Sequence, residues 1–244
     1  RLILMLLQLL LAAAVLLPFF WMFSVSLKPA TEPFAIPARL WPSSPTIDNY
    51  VTAFRPEFRT YFFNSLVVSL STVIITVTLG LLAAYSFTRA QLAAMSALVG
   101  LVVLAQMFPH SAIIIPIYKM MRSAGLLNTY WSLILAYVSV TLPVAIWMRI
   151  FWDIVVPLSR PGLIATSVYV LIVTWQEFLF ALSFTSTKDM RTLPVGLNDF
   201  IGQYGIRYGE LMASSVMVSL PVMAIFFFLQ RYFVAGITAG AVKG

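Results

Sequence analysis

The chain has no cysteine, a single histidine and few charged residues among its 244 amino acids. Without cysteine there is no disulfide framework, no thiolate metal ligand and no cysteine nucleophile. His110 alone cannot form a multi-histidine metal site. Only 9% of the residues are charged, against about 25% in a typical soluble domain, which is too few to cover a surface in water. These absences exclude an ordinary soluble enzyme, a disordered tail and a secreted disulfide scaffold.

Apolar residues fill most of the chain, at 61% of the sequence and a mean hydropathy of +0.96. A membrane-spanning helix needs roughly 20 mostly apolar residues. The apolar runs are continuous rather than alternating, which favours helices over barrel strands. The sequence therefore predicts an all-α membrane protein with six transmembrane helices, at about 2–27, 61–88, 94–117, 129–148, 162–184 and 211–233.

The charges between these runs predict the orientation in the membrane. An even number of spans places both termini on one side. With both termini in the cytoplasm, the short cytoplasmic segments carry six basic residues, and their only acid is Asp153. This asymmetry favours cytoplasmic N and C termini and places 28–60 and 185–209 outside. The basic residues behind the net charge of +7 are scattered, so we expect a lipid bilayer and no nucleic acid as partner.

The two external loops differ in composition. The stretch 28–60 contains six prolines, so it cannot form one long helix, although Thr46 or Asp48 is suited to cap a short one. The stretch 185–209 has two interpretations, a hydrated connector or a docking surface for an external partner.

Polar residues within the predicted spans are candidates for a solute path. Glu177 is an ionisable group in a span, which is energetically costly and usually faces a bundle interior or a wet cavity. Together with Trp175 and Gln176 it is interpreted either as part of a path or gate, or as an interhelical hydrogen-bonding group that fixes packing. Asn64 and Gln106 are further path candidates.

Several segments together resemble one known family. They are Trp21–Pro29 with Asp48–Tyr50, Gly125–Tyr130, Val156–Gly162 with Trp175–Phe178, and the tail Val234–Gly244. In order and spacing they cover nearly the whole chain, and they resemble the permease subunits of ATP-binding-cassette (ABC) sugar importers, specifically the MalG-like permease of the maltose-type class. The resemblance implies the type I ABC importer permease fold.

The same resemblance implies a set of partners in the inner membrane. They are a homologous second permease subunit, an ATPase subunit dimer and an extracytoplasmic solute-binding protein. This chain has no glycine-rich phosphate loop ending in Lys-Ser/Thr. We therefore expect no cofactor on it, with ATP and Mg held by the partner ATPase. The spans offer hydrogen-bonding groups and aromatic rings but no cluster of charge, which favours a sugar or oligosaccharide as the solute. The resemblance implies that this solute crosses by alternating access.

The family's hallmark is a cytoplasmic coupling loop between spans four and five, here 149–161. Its Glu-Ala-Ala-x-x-x-Gly half is absent at Met148/Arg149, so residues are predicted to be missing there through disorder or deletion. The resemblance assigns ATPase coupling to Arg149, Ile150, Phe151, Asp153, Ile154, Pro157 and Leu158. From the residues alone, this segment is equally an interfacial linker anchored by aromatic side chains.

Two rival functions remain open at this stage. The first is an ABC importer permease for glycerol phosphate, an amino acid or a peptide. The second is a non-transporting membrane scaffold or an integral-membrane enzyme. The sequence contains no carboxylate pair, metal-ligand cluster or Ser-His-Asp set suited to catalysis, so a transport subunit rather than an enzyme is expected.

Overall fold

The computed structural model describes the backbone at residues 1–90, 100, 104, 107, 109–155, 160–202 and 205–241. Within these ranges it describes side chains except at 84–90, 110, 147–155, 160–161 and 231–241. Among the described residues, three helices are long and apolar enough to cross a membrane: Leu2–Ser26, Pro56–Ala83 and Tyr208–Gln230. Two shorter apolar helical stretches are Tyr130–Ile146 and Gly162–Trp175.

Helices form most of the described chain. In order they are α1 (Leu2–Ser26), α2 (Asp48–Ala53), α3 (Pro56–Ala90), α4 (His110–Ser123), α5 (Tyr130–Val155), α6 (Arg160–Trp175), α7 (Leu179–Phe184), α8 (Leu193–Gly196) and α9 (Tyr208–Ala241). A short hairpin pairs β1 (Ile201–Gly202) antiparallel with β2 (Gly205–Ile206). The contacts divide the chain into two compact units, Arg1–Arg59 with Gly196–Pro221 and Thr60–Val195 with Val222–Gly244.

In the first unit, a buried amide ties α2 to the end of α1. Asn49 Nδ2 donates to the carbonyl oxygens of Ser26 (2.9 Å) and Lys28 (2.8 Å), which satisfies carbonyl groups that a helix end leaves free. Gly209 of α9 lies so close that a Cβ there would come within 2.5 Å of the Asn49 side chain. A small apolar core beside this junction contains Ala53, Phe200 and Ala213.

In the second unit, α5 supplies five of the ten residues of one buried apolar cluster. Its core residues are Leu133, Ile134, Ala136, Tyr137 and Val138, and the helix packs against α4, α6 and α7. Helix α3 presents a stripe of fully buried polar residues: Asn64, Ser65, Ser69, Thr72 and Thr76. The hydroxyl groups of Thr76 and Thr141 lie 3.1 Å apart, which links α3 to α5. Small polar residues allow such helices to approach closely and to hydrogen-bond away from water.

The observed helices differ from the predicted spans at two places. Helices α1, α3, α5 and α9 occupy the runs predicted as spans one, two, four and six. In the run predicted as span three, 94–117, Pro109 is extended (φ −64°, ψ 133°) and α4 begins only at His110; most of 91–108 lies outside the described residues. In the run predicted as span five, 162–184, α6 and α7 are separated by a break at 176–178.

Helix α5 runs from Tyr130 to Val155 and so includes the Met148/Arg149 position, and α6 begins at Arg160. The expectation that residues are missing at Met148/Arg149, through disorder or deletion, stays a prediction.

Candidate functional site

The break between α6 and α7 contains the acidic residue of the predicted spans. Glu177 Oε1 accepts a hydrogen bond from the backbone N–H of Phe180 (2.8 Å), and Oε2 accepts one from that of Ala181 (3.1 Å). Oε2 also accepts from the hydroxyl of Tyr137 in α5, at 2.7 Å. A carboxylate satisfies free N–H groups at a helix start and is favoured there by the helix dipole. Glu177 therefore caps α7 and ties it to α5.

The three neighbouring path candidates have different surroundings. Trp175 is buried, and its ring meets the Phe62 ring edge-on at 5.8 Å. Glu177 is half-buried with the three donors described above, which favours the packing interpretation for this carboxylate. Gln176 is exposed, so it is the member of this group whose amide is open to a solute.

Asn64 in α3 is fully buried and anchors the first half of the loop 185–209, which the sequence predicts to be external. Its Nδ2 donates to the carbonyl oxygens of Asp189 (2.7 Å) and Arg191 (2.8 Å). Its Oδ1 accepts from the hydroxyl of Tyr130 at 2.6 Å. Both amide hydrogens are therefore used, which favours a positioning role for this residue over direct solute contact.

Asn128 fixes the same half of the loop from the turn before α5. Its Oδ1 accepts hydrogen bonds from the backbone N–H groups of Ser186 (2.9 Å) and Thr187 (3.1 Å). Its own N–H donates to the carbonyl oxygen of Phe184 at 2.8 Å. The residue has φ +59°, a left-handed conformation in which asparagine is several-fold enriched. The segment after α7 is thus held by a side chain from α3 and by one from the turn before α5.

The second half of the loop 185–209 belongs to the first unit and is held by charged side chains around an aromatic ring. The guanidinium groups of Arg55 and Arg207 lie 5.6 Å and 5.1 Å from the centroid of the buried Phe200 ring. Both arginines contact Glu210, at 3.4 Å and 2.8 Å respectively. Beyond Phe200, the β1–β2 hairpin presents Ile201, half of whose surface is exposed.

The predicted coupling residues lie at and beyond the end of α5. The backbone of 149–155 is helical, which places Arg149, Ile150, Phe151, Asp153 and Ile154 on one continuous helix. Their side chains lie outside the described residues, and so do Pro157, Leu158 and the path candidate Gln106.

Two partners in this network were not identified as site residues from the sequence. Tyr137 lies in an uninterrupted apolar run, and nothing in its neighbours marks it as the partner of Glu177. A turn at Asn128 could have been predicted from the sequence, because asparagine is favoured in turns and tolerates a backbone with φ above zero.

Known proteins match this chain over nearly its full length. The trehalose transport system permease protein SugB of Mycobacterium tuberculosis is 35% identical, over 94% of this chain and 93% of its own length. The inner membrane ABC transporter permease protein YcjP of Escherichia coli is 33% identical, over 94% and 91%. The trehalose/maltose transport system permease protein MalG of Thermococcus litoralis is 32% identical, over 100% and 97%. No protein-family model matches the chain.

A solved structure has the same fold. The chain is similar to one from a bacterial ABC transporter involved in the import of the acidic polysaccharide alginate, with a TM-score of 0.78, 95% coverage of both chains and 17% sequence identity. At this identity the likeness concerns the fold alone.

The alignment lengths show that this chain is shorter than its relatives. The match to the Thermococcus permease covers all 244 residues of this chain but runs over 272 residues. The difference means that at least 28 aligned residues of the relative have no counterpart here.

Proposed function

Because this chain belongs to the permease subunits of ABC transporters, we propose that it is the membrane permease of an importer that carries a sugar or oligosaccharide into the cell. The observation that carries the proposal is 35% identity to a trehalose permease over nearly the full length of both chains. ABC permeases are transport components rather than enzymes. The chain's own composition agrees, since its spans provide amide, hydroxyl and aromatic groups without a cluster of charge.

The proposed assembly contains further subunits. A second, homologous permease completes the path through the inner membrane, an ATPase dimer supplies the energy with ATP and Mg, and an extracytoplasmic binding protein delivers the sugar. In this chain the topology is six spans with cytoplasmic termini. Nucleotide binding shifts the assembly between inward- and outward-facing states through its differential affinity for them, and a shift from 1:99 to 99:1 needs about 5.5 kcal/mol.

Coupling to the ATPase is assigned to the cytoplasmic end of α5. The helix has 26 residues, so it is about 39 Å long, whereas the hydrocarbon core of a bilayer is about 30 Å thick. Its last turns therefore extend beyond the lipid as a rigid continuation of a span, which is suited to transmit motion. We place the deletion relative to the family at Met148/Arg149, so that contact with the ATPase depends on the shortened segment 149–158.

The solute path is assigned to the helix break between α6 and α7. Gln176 is the exposed polar side chain there, while Glu177 and Trp175 hold the break in place. Asn64 positions the loop that follows α7. A break in a span frees backbone groups that can face a water-filled cavity, which suits a hydroxylated solute.

The proposal is tested by reconstituting the complete transporter in proteoliposomes with binding protein loaded with trehalose, maltose or diacetylchitobiose. We expect ATP-dependent accumulation of at least one sugar and none with a hydrolysis-deficient ATPase. Absence of accumulation for every sugar, or purification of the chain without any ATPase, would contradict the proposal.

Variants separate the proposed roles within this assay. Asp153→Ala and Pro157→Ala should abolish sugar-stimulated ATP hydrolysis while leaving the subunits' basal hydrolysis in place. Gln176→Ala should raise the KM for sugar. Its matched control is Gln230→Ala, since Gln230 is an exposed glutamine in another apolar helix and should leave the KM unchanged.

A further inference from the structure

The segment after α1 folds back along the helix it has just left. The hydroxyl of Ser24 donates to the carbonyl oxygen of Leu40, and Lys28 Nζ donates to the carbonyl oxygen of Arg39, both at 2.5 Å. The Trp41 ring stacks on that of Phe20, with centroids 6.1 Å apart and an interplanar angle of 24°. Three contacts therefore hold consecutive loop residues against the outer turns of an apolar helix.

These contacts fix the depth of the loop relative to the candidate span. Phe20 lies six residues before the last residue of α1, which is about 9 Å along the axis. The 25-residue helix is about 37 Å long and extends about 4 Å past each side of a hydrocarbon core of about 30 Å when it is centred. The Phe20 ring then lies about 5 Å inside the core, and the Trp41 ring stacked on it lies at a similar depth.

The surface that the loop presents is mostly apolar, with the exposed Arg39 side chain beside it. Four apolar side chains of the loop are 50% to 98% exposed: Phe34, Ile36, Leu40 and Trp41. Hydrogen bonds between Glu32 and Ser43 join the two ends of the loop, and this junction is called its neck. There, Glu32 accepts hydrogen bonds from the backbone N–H of Ser43 (2.8 Å) and from its hydroxyl (3.0 Å). An ordered loop with this composition in water would expose an unfavourable patch.

Two backbone carbonyl groups on the helix side of the loop are satisfied by side chains of α1 and the residues that follow it. The carbonyl groups of Arg39 and Leu40 have the partners named above, and a carbonyl away from water needs such a partner. The ammonium of Lys28 is buried and also lies 4.4 Å from the centroid of the Trp21 ring, a stabilising cation–π distance. Tryptophan at the edge of the hydrocarbon core is typical of membrane anchors.

We propose that the loop Glu32–Ser43 is a lipid-inserted anchor, in which Ile36, Leu40 and Trp41 enter the leaflet that surrounds the C-terminal end of α1. The occupant of this surface is phospholipid, because the patch continues the side chains of α1, which are exposed from Leu2 to Trp21. The inference does not rest on the solute or on the ATPase, since it requires only that α1 spans the membrane.

The absence of cysteine makes the chain suitable for site-directed spin labelling. Leu40→Cys and Ile36→Cys carry a nitroxide in the complete transporter, reconstituted in phosphatidylethanolamine and phosphatidylglycerol vesicles. Ser44→Cys is the matched control, because Ser44 is exposed in the same loop region but lies beyond the Glu32–Ser43 neck. Power saturation then compares accessibility to oxygen, which enters lipid, with accessibility to a water-soluble nickel chelate.

We expect labels at 36 and 40 to show a several-fold higher ratio of oxygen to nickel accessibility than the label at 44. Equal nickel accessibility at 40 and 44 would place the loop in water and overturn the proposal. Low accessibility to both reagents at 36 and 40 would show a protein partner over the patch and would overturn the proposal as well.

Fluorescence quenching provides a second measurement. Lipids brominated on their upper acyl carbons should quench less fluorescence in Trp41→Phe than in the unmodified chain. Equal quenching in the two proteins counts against insertion.

Discussion

At the scale of single residues, Asn128 combines a backbone conformation and a side chain that few other residues provide together. Its φ of +59° suits asparagine or glycine, and its Oδ1 accepts two backbone hydrogen bonds from the loop after α7. Aspartate keeps the acceptor, glycine keeps only the conformation, and alanine keeps neither. These differences separate the two contributions.

We expect Asn128→Asp to be nearly neutral. Asn128→Gly should lower the free energy of unfolding by about 0.5–1.5 kcal/mol, because the two hydrogen bonds are exposed and water can replace the lost acceptor. Asn128→Ala should lower it further because of the left-handed backbone. Thermal unfolding of the purified complex gives the order. If alanine and glycine have equal effects, the backbone conformation contributes nothing.

Gly209 is required by the close approach of α9 to Asn49, whose side chain a Cβ would meet at 2.5 Å. Gly209→Ala should therefore displace the Asn49 amide from the end of α1 and cost about 1–3 kcal/mol, as overpacking usually does. Gly100→Ala is the control, since a Cβ there meets nothing within 4 Å. Equal melting temperatures for the two variants would contradict the assignment.

At the scale of elements, the junction of α6 and α7 depends on Glu177 and its three donors. Glu177→Ala leaves two backbone N–H groups and the buried Tyr137 hydroxyl without this acceptor, at about 1–3 kcal/mol for each group that remains buried and unsatisfied. Tyr137→Phe should be milder alone and nearly neutral on top of Glu177→Ala. A double-mutant cycle on unfolding measures the coupling. A change in transport KM with unchanged stability would instead indicate that Glu177 acts on the solute.

The neck of the loop Glu32–Ser43 should respond to acid. The pKa of Glu32 lies below its ordinary value chiefly because the Ser43 N–H donates to the carboxylate, with smaller contributions from the Ser43 hydroxyl, Arg39 and Lys28. Since the folded pKa is lowered, the ionised neck contributes its full stability above the ordinary pKa of glutamate and loses it as the pH falls through the lowered value. Hydrogen exchange at the Ser43 amide should lose protection on going from about pH 6 to about pH 3, whereas Glu32→Ala should show no such change.

At the scale of the whole molecule, the number of spans and their orientation determine which surfaces meet which partners. Single cysteines at 44, 159 and 188 can be treated with a membrane-impermeant maleimide on intact cells, because the chain has no other thiol. With six spans and cytoplasmic termini, 44 and 188 should react from outside and 159 only after permeabilisation. Reaction at 159 in intact cells would reverse the orientation.

Much of the architecture could be predicted from the sequence because it depends on local composition. The continuous apolar runs of α1 and α9 indicate helices in lipid whatever their neighbours are, and the prolines after Lys28 exclude a long helix there. The break at 176–178 was not predictable. In the sequence, Glu177 and its neighbours form a short polar insertion in one apolar run, which predicts a single span. Only the structure shows that the helix ends and starts again here, where the Glu177 carboxylate accepts hydrogen bonds from α7 and from Tyr137.

Family membership also followed from the sequence, because motifs such as Gly125–Tyr130 are contiguous in the chain. Which polar groups are already bonded was decided by tertiary structure alone. Asn64 and Gln176 look equivalent as polar residues in spans, yet the first is enclosed by the segment around Asp189 and the second faces outward. Hydropathy is a property of neighbouring residues, whereas hydrogen-bond satisfaction depends on groups more than a hundred residues apart, and these meet only in the folded chain.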